Sequence, residues 1–224
     1  MNHFKKQLKE DVLEYFNWTE AEFDEKVKTC REIRKKAWED TEPKTADEVN
    51  KFYQTCGEEF IANIVDFNLR ENLHFPELSI FGDADTVLDY GSGVGTLAFH
   101  LASNGKKVTL CDLDTAPFIF AQWRFQKHDL PYEAIKIDRL FPLEKKYDAI
   151  CCVDVIEHLV NPVEIVWMFH EHLNDNGVLY ITNTDAKEDD VHPYHLIAYP
   201  KMFKKMIEVM GFGFLRQSIY RKVK

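Results

Sequence analysis

The sequence predicts an α/β protein: a three-layer sandwich built on a mostly parallel sheet, with an N-terminal helical extension. Three observations predict it. From Thr86 onward, short apolar runs alternate with amphipathic ones, as strands alternate with helices in parallel sheets. A glycine-rich segment, Gly91-Ser92-Gly93-Val94-Gly95, follows the first apolar run directly. Before Gly82 the chain has a single glycine, Gly57, and long stretches of helical periodicity.

In the first part, Leu8, Val12, Leu13, Tyr15 and Phe16 mark one amphipathic helix. Thr19 caps the next, with Glu20 and Glu22 in its first turn and Phe23, Val27, Cys30, Ile33 and Ala37 at helical spacing. Glu42-Pro43 ends it. Thr45-Ala46-Asp47-Glu48 is a capping-box pattern that opens a helix running through Phe52, Cys56, Phe60, Ile64 and Phe67. Beyond it the expected elements are strand Thr86–Tyr90, helix Thr96–Ser103, strand Lys107–Cys111, helix Ala116–Lys127 and strand Tyr132–Ile137. There follow strand Tyr147–Val153, helix Pro162–Leu173, strand Val178–Thr182, helix Lys201–Met210 and an extended tail, Phe212–Tyr220. Two domains are expected, 1–83 as a helical extension or lid and 84–224 as the α/β unit.

The chain has 224 residues and a formal net charge of −10. An acid excess argues against gripping a phosphate backbone by bulk charge, so no nucleic-acid partner is expected. No run approaches the roughly 20 apolar residues that span a bilayer, and Met1–Glu10 is too polar for a secretory signal; no membrane partner is expected. The five cysteines, Cys30, Cys56, Cys111, Cys151 and Cys152, are odd in number and form no C-x-x-C, which fits buried thiols in a reducing, cytoplasmic setting.

The chemistry concentrates where Thr86–Tyr90 runs into the glycines. Glycine lets backbone turn sharply and approach a ligand, and the N–H groups of the following helix suit an acidic ligand group. A dinucleotide fingerprint wants Gly or Ala at its sixth position, where this chain has Thr96. Asp89, two residues before the first glycine, would crowd a pyrophosphate and suits an ammonium group instead. The spacing thus favours S-adenosylmethionine over NAD, and no Gly-Lys-Ser/Thr follows to make a P-loop.

Residues 86–183 resemble the core of the class I S-adenosylmethionine-dependent methyltransferases, a Rossmann-like fold, most closely the small-molecule O-methyltransferases of the quinone-biosynthesis type. Asp89-x-Gly91-x-Gly93-x-Gly95 is similar to that family's first motif. The resemblance implies that Asp112 holds both ribose hydroxyls, that Leu113 packs on the adenine, and that Asp138 accepts from the adenine amino group with Arg139 or Leu140 beside the ring. Asp154-Val155-Ile156-Glu157-His158-Leu159 is similar to the Glu-His-Leu signature common among the family's small-molecule O-methyltransferases, which implies that Asp154 contacts the cofactor, and that Tyr53, on the helices that close over the cofactor, can touch its methionine end.

His158 reads either as a general base for a substrate hydroxyl or as a structural residue orienting loops. His192 and His195, in the long loop Asp185–Pro200, are further candidates for base or acceptor contacts, or plain loop residues. Asp154, Glu157 and His158 have donor types that suit a divalent metal, although no metal is expected. The implied reaction is O-methylation of a small molecule. Its alternatives are a non-catalytic S-adenosylmethionine-binding regulator or scaffold and a nucleotide-dependent oxidoreductase. One departure stands out. Related sheets end in an antiparallel hairpin, and only Phe212–Lys224 remains for it here, so the edge strand is expected to be lost, shortened or supplied by a partner in a homo-oligomer.

Overall fold

The computed structural model describes residues 2–70, 77–182, 196, 200–216 and 218–223. Four helices come first: α1 (Asn2–Phe16), α2 (Glu20–Thr41), α3 (Ala46–Thr55) and α4 (Glu58–Arg70). Thr19 and Thr45 both close capping boxes, each side chain accepting from the backbone N–H three residues on while Glu22 or Glu48 reaches back. The predicted single helix from Thr45 through Phe67 is in fact two. Cys56 takes extended backbone, φ −68° and ψ 123°, and the chain restarts at Glu58. The break sits at Gly57, the one glycine of the segment, which costs a helix interior about 1 kcal/mol relative to alanine.

The rest alternates as expected: β1 (Thr86–Tyr90), α5 (Thr96–Ser103), β2 (Lys107–Asp112), α6 (Ala116–Lys127), β3 (Tyr132–Lys136), β4 (Tyr147–Cys152), α7 (Pro162–His172), β5 (Leu173–Ile181), α8 (Pro200–Val209), β6 (Phe212–Arg216) and β7 (Ile219–Lys222). The sheet order is β3-β2-β1-β4-β5-β7-β6. Neighbours among the first five run parallel, and β7 lies antiparallel between β5 and β6. The order reverses between β1 and β4, and the crevice beyond their carboxyl ends is where open parallel sheets bind ligands.

Of the three outcomes expected for the edge strand, lost, shortened or supplied by a partner, the chain shows the second: both strands of the hairpin are present and short, five and four residues. The last residues fold back on themselves: Phe214 pairs with Tyr220, their rings 5.7 Å apart, and Ser218 makes the turn at φ +61°. The chain supplies its own hairpin, so the sheet gives no ground for a strand donated by a second copy.

Alternate strand residues feed two cores. Leu88, Tyr90, Ile150 and Cys152 pack under α7 and α8, while Val87, Ala149 and Cys151 pack under α5 and α6. A third cluster, with Leu8, Val12, Phe23, Ile61 and Val65, lays the first helices over α6. Its anchor is polar. Arg124 of α6, fully buried, donates from Nε to Asp11 Oδ2 at 3.0 Å and from Nη1 to the Val94 carbonyl at 3.0 Å. Burial pushes the Asp11 carboxyl up, but Lys127 and His128, which bond it, and the Arg124 charge outweigh that and hold it low. All five cysteines are unpaired. None of the described helices is long and apolar enough to cross a membrane.

Candidate active site

A cleft of about 1250 Å³ opens at the switch point, floored by the carboxyl ends of β1, β2 and β4 and roofed by α2, α3 and α4. The turn after β1 forms its base. Gly91 sits at φ +72°, and a Cβ there would lie 2.3 Å from Val155 Cγ2, so only glycine permits the turn to close on the loop after β4. Gly93, at φ +52°, lines the cleft, and a Cβ there would meet nothing within 4 Å.

Asp89 points back under this turn and is 4% exposed. Its Oδ2 accepts from the Ala98 N–H at 3.2 Å in the first part of α5. Loss of water pushes its carboxyl up to about 7; the Ala98 bond offsets only part of that, and Asp112 adds like charge. Asp112 ends β2 with Oδ2 accepting from the Gly93 N–H at 2.6 Å and Oδ1 from the Leu113 N–H at 2.7 Å. Burial pushes it up to about 6 against those two bonds. Each oxygen retains a lone pair for a further donor. Leu113 lines the same wall, and Asp138 and Arg139 stand exposed at its rim, where Arg139 pairs with Glu144 at 2.9 Å.

The loop after β4 supplies the opposite wall. Asp154 takes a left-handed backbone, φ +53°, unusual for a non-glycine residue and typical of sites where a fold holds strain. The Thr182 hydroxyl donates to its Oδ1 at 2.9 Å and accepts from its N–H at 3.0 Å. Burial first, then the Glu157 charge, raise the Asp154 carboxyl. The Glu157 carbonyl accepts from the Leu196 N–H at 2.7 Å, which ties Leu196 to this wall. His158 meets Tyr53 across the cleft, the two rings 6.0 Å apart and near-perpendicular at 69°. Two residues 105 positions apart in sequence, each singled out alone, are thus brought together.

The other two histidines singled out, His192 and His195, lie outside the described residues. Among those described, no group of three or more His, Cys, Asp or Glu side chains is placed to hold a metal ion. Ser92 carried no special weight in the sequence, yet the residue lines the cleft, and its hydroxyl is buried there with no hydrogen-bond partner among the described residues. Asn68 was missed too. It donates to the Thr96 hydroxyl at 2.7 Å and so fastens α4 to the first residue of α5. The only available signal was position: Ser92 stands between two glycines of the turn, and Asn68 lies on the inner face of an amphipathic helix.

Residues 29–211 match the methyltransferase domain family. Over 112 residues the chain is 33% identical to the ubiquinone biosynthesis O-methyltransferase of Rickettsia typhi, covering 49% of this chain and 44% of that protein. Over 138 residues it is 27% identical to the tRNA U34 carboxymethyltransferase of Campylobacter hominis, covering 59% of this chain and 48% of that one. The chain thus spans under half the length of either curated relative. In fold it is similar to an O-methyltransferase family protein from Burkholderia thailandensis, with a TM-score of 0.54 at 16% identity, covering 80% of this chain and 59% of that one. The family match starts within α2, takes in the glycine turn and both walls of the cleft and stops at the foot of β6; the chain belongs to the methyltransferase domain family, the class I S-adenosylmethionine-dependent methyltransferases.

Proposed function

We propose that the protein methylates a hydroxyl on a small-molecule acceptor, with residues 1–83 serving as the lid and 84–224 as the catalytic unit. One observation carries this most: the Asp112 carboxylate, already positioned by two backbone N–H groups, faces the cleft with acceptor capacity to spare, as adjacent ribose hydroxyls require. The open space at Gly93, where a Cβ would meet nothing within 4 Å, fits the same cofactor at its amino-acid end. A likeness to an O-methyltransferase and a net charge of −10 support a small acceptor over an RNA. Five unpaired thiols suit a reducing compartment such as the cytoplasm.

When bound, S-adenosylmethionine supplies a methyl made electrophilic by its sulfonium. In this reading Asp89 faces the cofactor's ammonium group through the turn, and Asp112 fixes the ribose. Leu113 and Arg139 flank the adenine, and Asp138 accepts from its amino group. Asp154 lends negative charge near the sulfonium. Tyr53 closes the methionine end from above, and His158 takes the acceptor's proton. His192 and His195 remain candidates for acceptor contacts. Holding acceptor and donor in line supplies much of the acceleration.

The test separates base from scaffold. His158→Ala is expected to lower turnover roughly 10²–10⁴-fold while the Kd for S-adenosylhomocysteine, measured by calorimetry, stays unchanged. An unaltered rate removes His158 from the reaction.

A further inference from the structure

Arg31 and Arg34 stand three residues apart on α2, hence on one helical face, and both line the cleft. The carboxylates of the sheet edge, Asp89, Asp112 and Asp154, lie on the opposite side, while the helical roof carries these two guanidinium groups and a single acid, Asp47. Arg31 forms no ion pair among the described residues. Arg34, one turn on along the same face, lies over the Phe60 ring, Cζ to centroid 5.2 Å, so its charge sits against the aromatic lining of the cleft. The break at Gly57 lets the wall continue inward. Phe60 of α4 meets Tyr53 of α3 at 6.0 Å, and Tyr53 meets His158 at 6.0 Å. An unbroken run of rings therefore leads from His158 to a cationic group at the far end of the roof.

We propose that this roof is the acceptor subsite, and that the acceptor is an anion. Arg31 and Arg34 take its carboxylate or phosphate group in a forked, charge-assisted contact. Its apolar body lies along Phe60 and Tyr53, and its methyl-accepting hydroxyl reaches His158. The assignment rests on the reading of His158 as the reacting end; the anion preference itself does not need turnover to be seen.

The experiment uses the full chain saturated with S-adenosylhomocysteine and titrates three probes by calorimetry: phenyl phosphate, phenylacetate and the neutral 2-phenylethanol. Both anions are expected to bind at least tenfold more tightly than the alcohol, with the tighter of the two naming the acidic group. Arg34→Gln, and separately the exposed Arg31→Gln, should erase that preference while the Kd for S-adenosylhomocysteine holds. Arg34→Lys, which keeps the charge and loses the fork, should fall between. Anions that bind no better than the alcohol, that fail to bind, or whose preference survives both glutamine variants overturn the subsite. Failure of S-adenosylhomocysteine itself to bind the unaltered protein is a different result, and strikes the reading of the glycine turn instead.

Discussion

The two ends of the same parallel sheet treat a carboxylate in opposite ways. At the amino ends of β1 and β4, Asp148 accepts from the Thr86 N–H at 3.0 Å, the Thr86 hydroxyl at 2.8 Å, the Asp85 N–H at 3.1 Å and the Asn174 amide at 2.8 Å. Those bonds, the Thr86 N–H foremost, hold its carboxyl down to about 2. At the carboxyl ends, Asp89 and Asp112 have lost water without a comparable set of donors, and burial lifts them to about 7 and about 6. A carboxylate that ties strands together is saturated by its own chain. Asp89 and Asp112 are left short of donors, the pattern expected of carboxylates at a functional site.

The sharpest way to break the contrast is Asp112→Ala. Losing an ionised acceptor of two hydroxyl bonds should raise the Kd for S-adenosylhomocysteine roughly 10²–10³-fold, with the melting temperature little changed. Asp148→Ala should do the reverse, costing about 2 kcal/mol of stability in denaturant titration and leaving that Kd in place. An effect of both substitutions on both measurements would erase the distinction.

The smallest expected effect is on pH, and its sign differs between the ends. Asp148 is depressed when folded, so its contribution to stability is present above its ordinary value of 3.8 and is lost as pH falls toward about 2. Asp89 and Asp112 are raised when folded. Their contribution is present below 3.8 and is lost as pH climbs through about 6 and about 7. A bound ammonium group and ribose hydroxyls favour the ionised forms, so affinity for S-adenosylhomocysteine should tighten from pH 5.5 to 7.5 and level off above. A flat profile would mean that neither acid meets the ligand.

Much of the sheet and its site was legible because the residues carry local, repeating signals. Thr96–Ser103 and Ala116–Lys127 come out as predicted to the residue, since apolar spacing and the Thr115-Ala116-Pro117 start specify them without help. Asp89, Gly91, Gly93 and Asp112 sit at fixed offsets from strand ends. The roof was harder. The break at Cys56–Gly57 interrupts no apolar periodicity, so only one weak helix former signalled it. The final hairpin turns at Ser218, with no glycine to announce a positive φ, and reads as one extended run. The amino half of β5 was missed for the opposite reason: Asn174–Gly177 has turn composition, yet the strand begins at Leu173, which pairs with Tyr147 across an irregular register. Contacts such as Tyr53 with His158 depend on how the roof settles, which no local pattern encodes.

Arg124 ties the first helix to the turn after β1. Lifting α1 would strip a guanidinium enclosed by Phe99 and Phe120 of its Asp11 counter-charge. Breaking such a pair costs about 3–5 kcal/mol, which keeps the first helix seated in all but roughly one molecule in several hundred or more. The same guanidinium donates to the Val94 carbonyl, so the seat of the first helix and the glycine turn after β1 are one assembly. Across the cleft, α3 meets the opposite wall through contacts that include the ring pair of Tyr53 with His158, a type of contact worth about 0.5–1.5 kcal/mol beyond its burial.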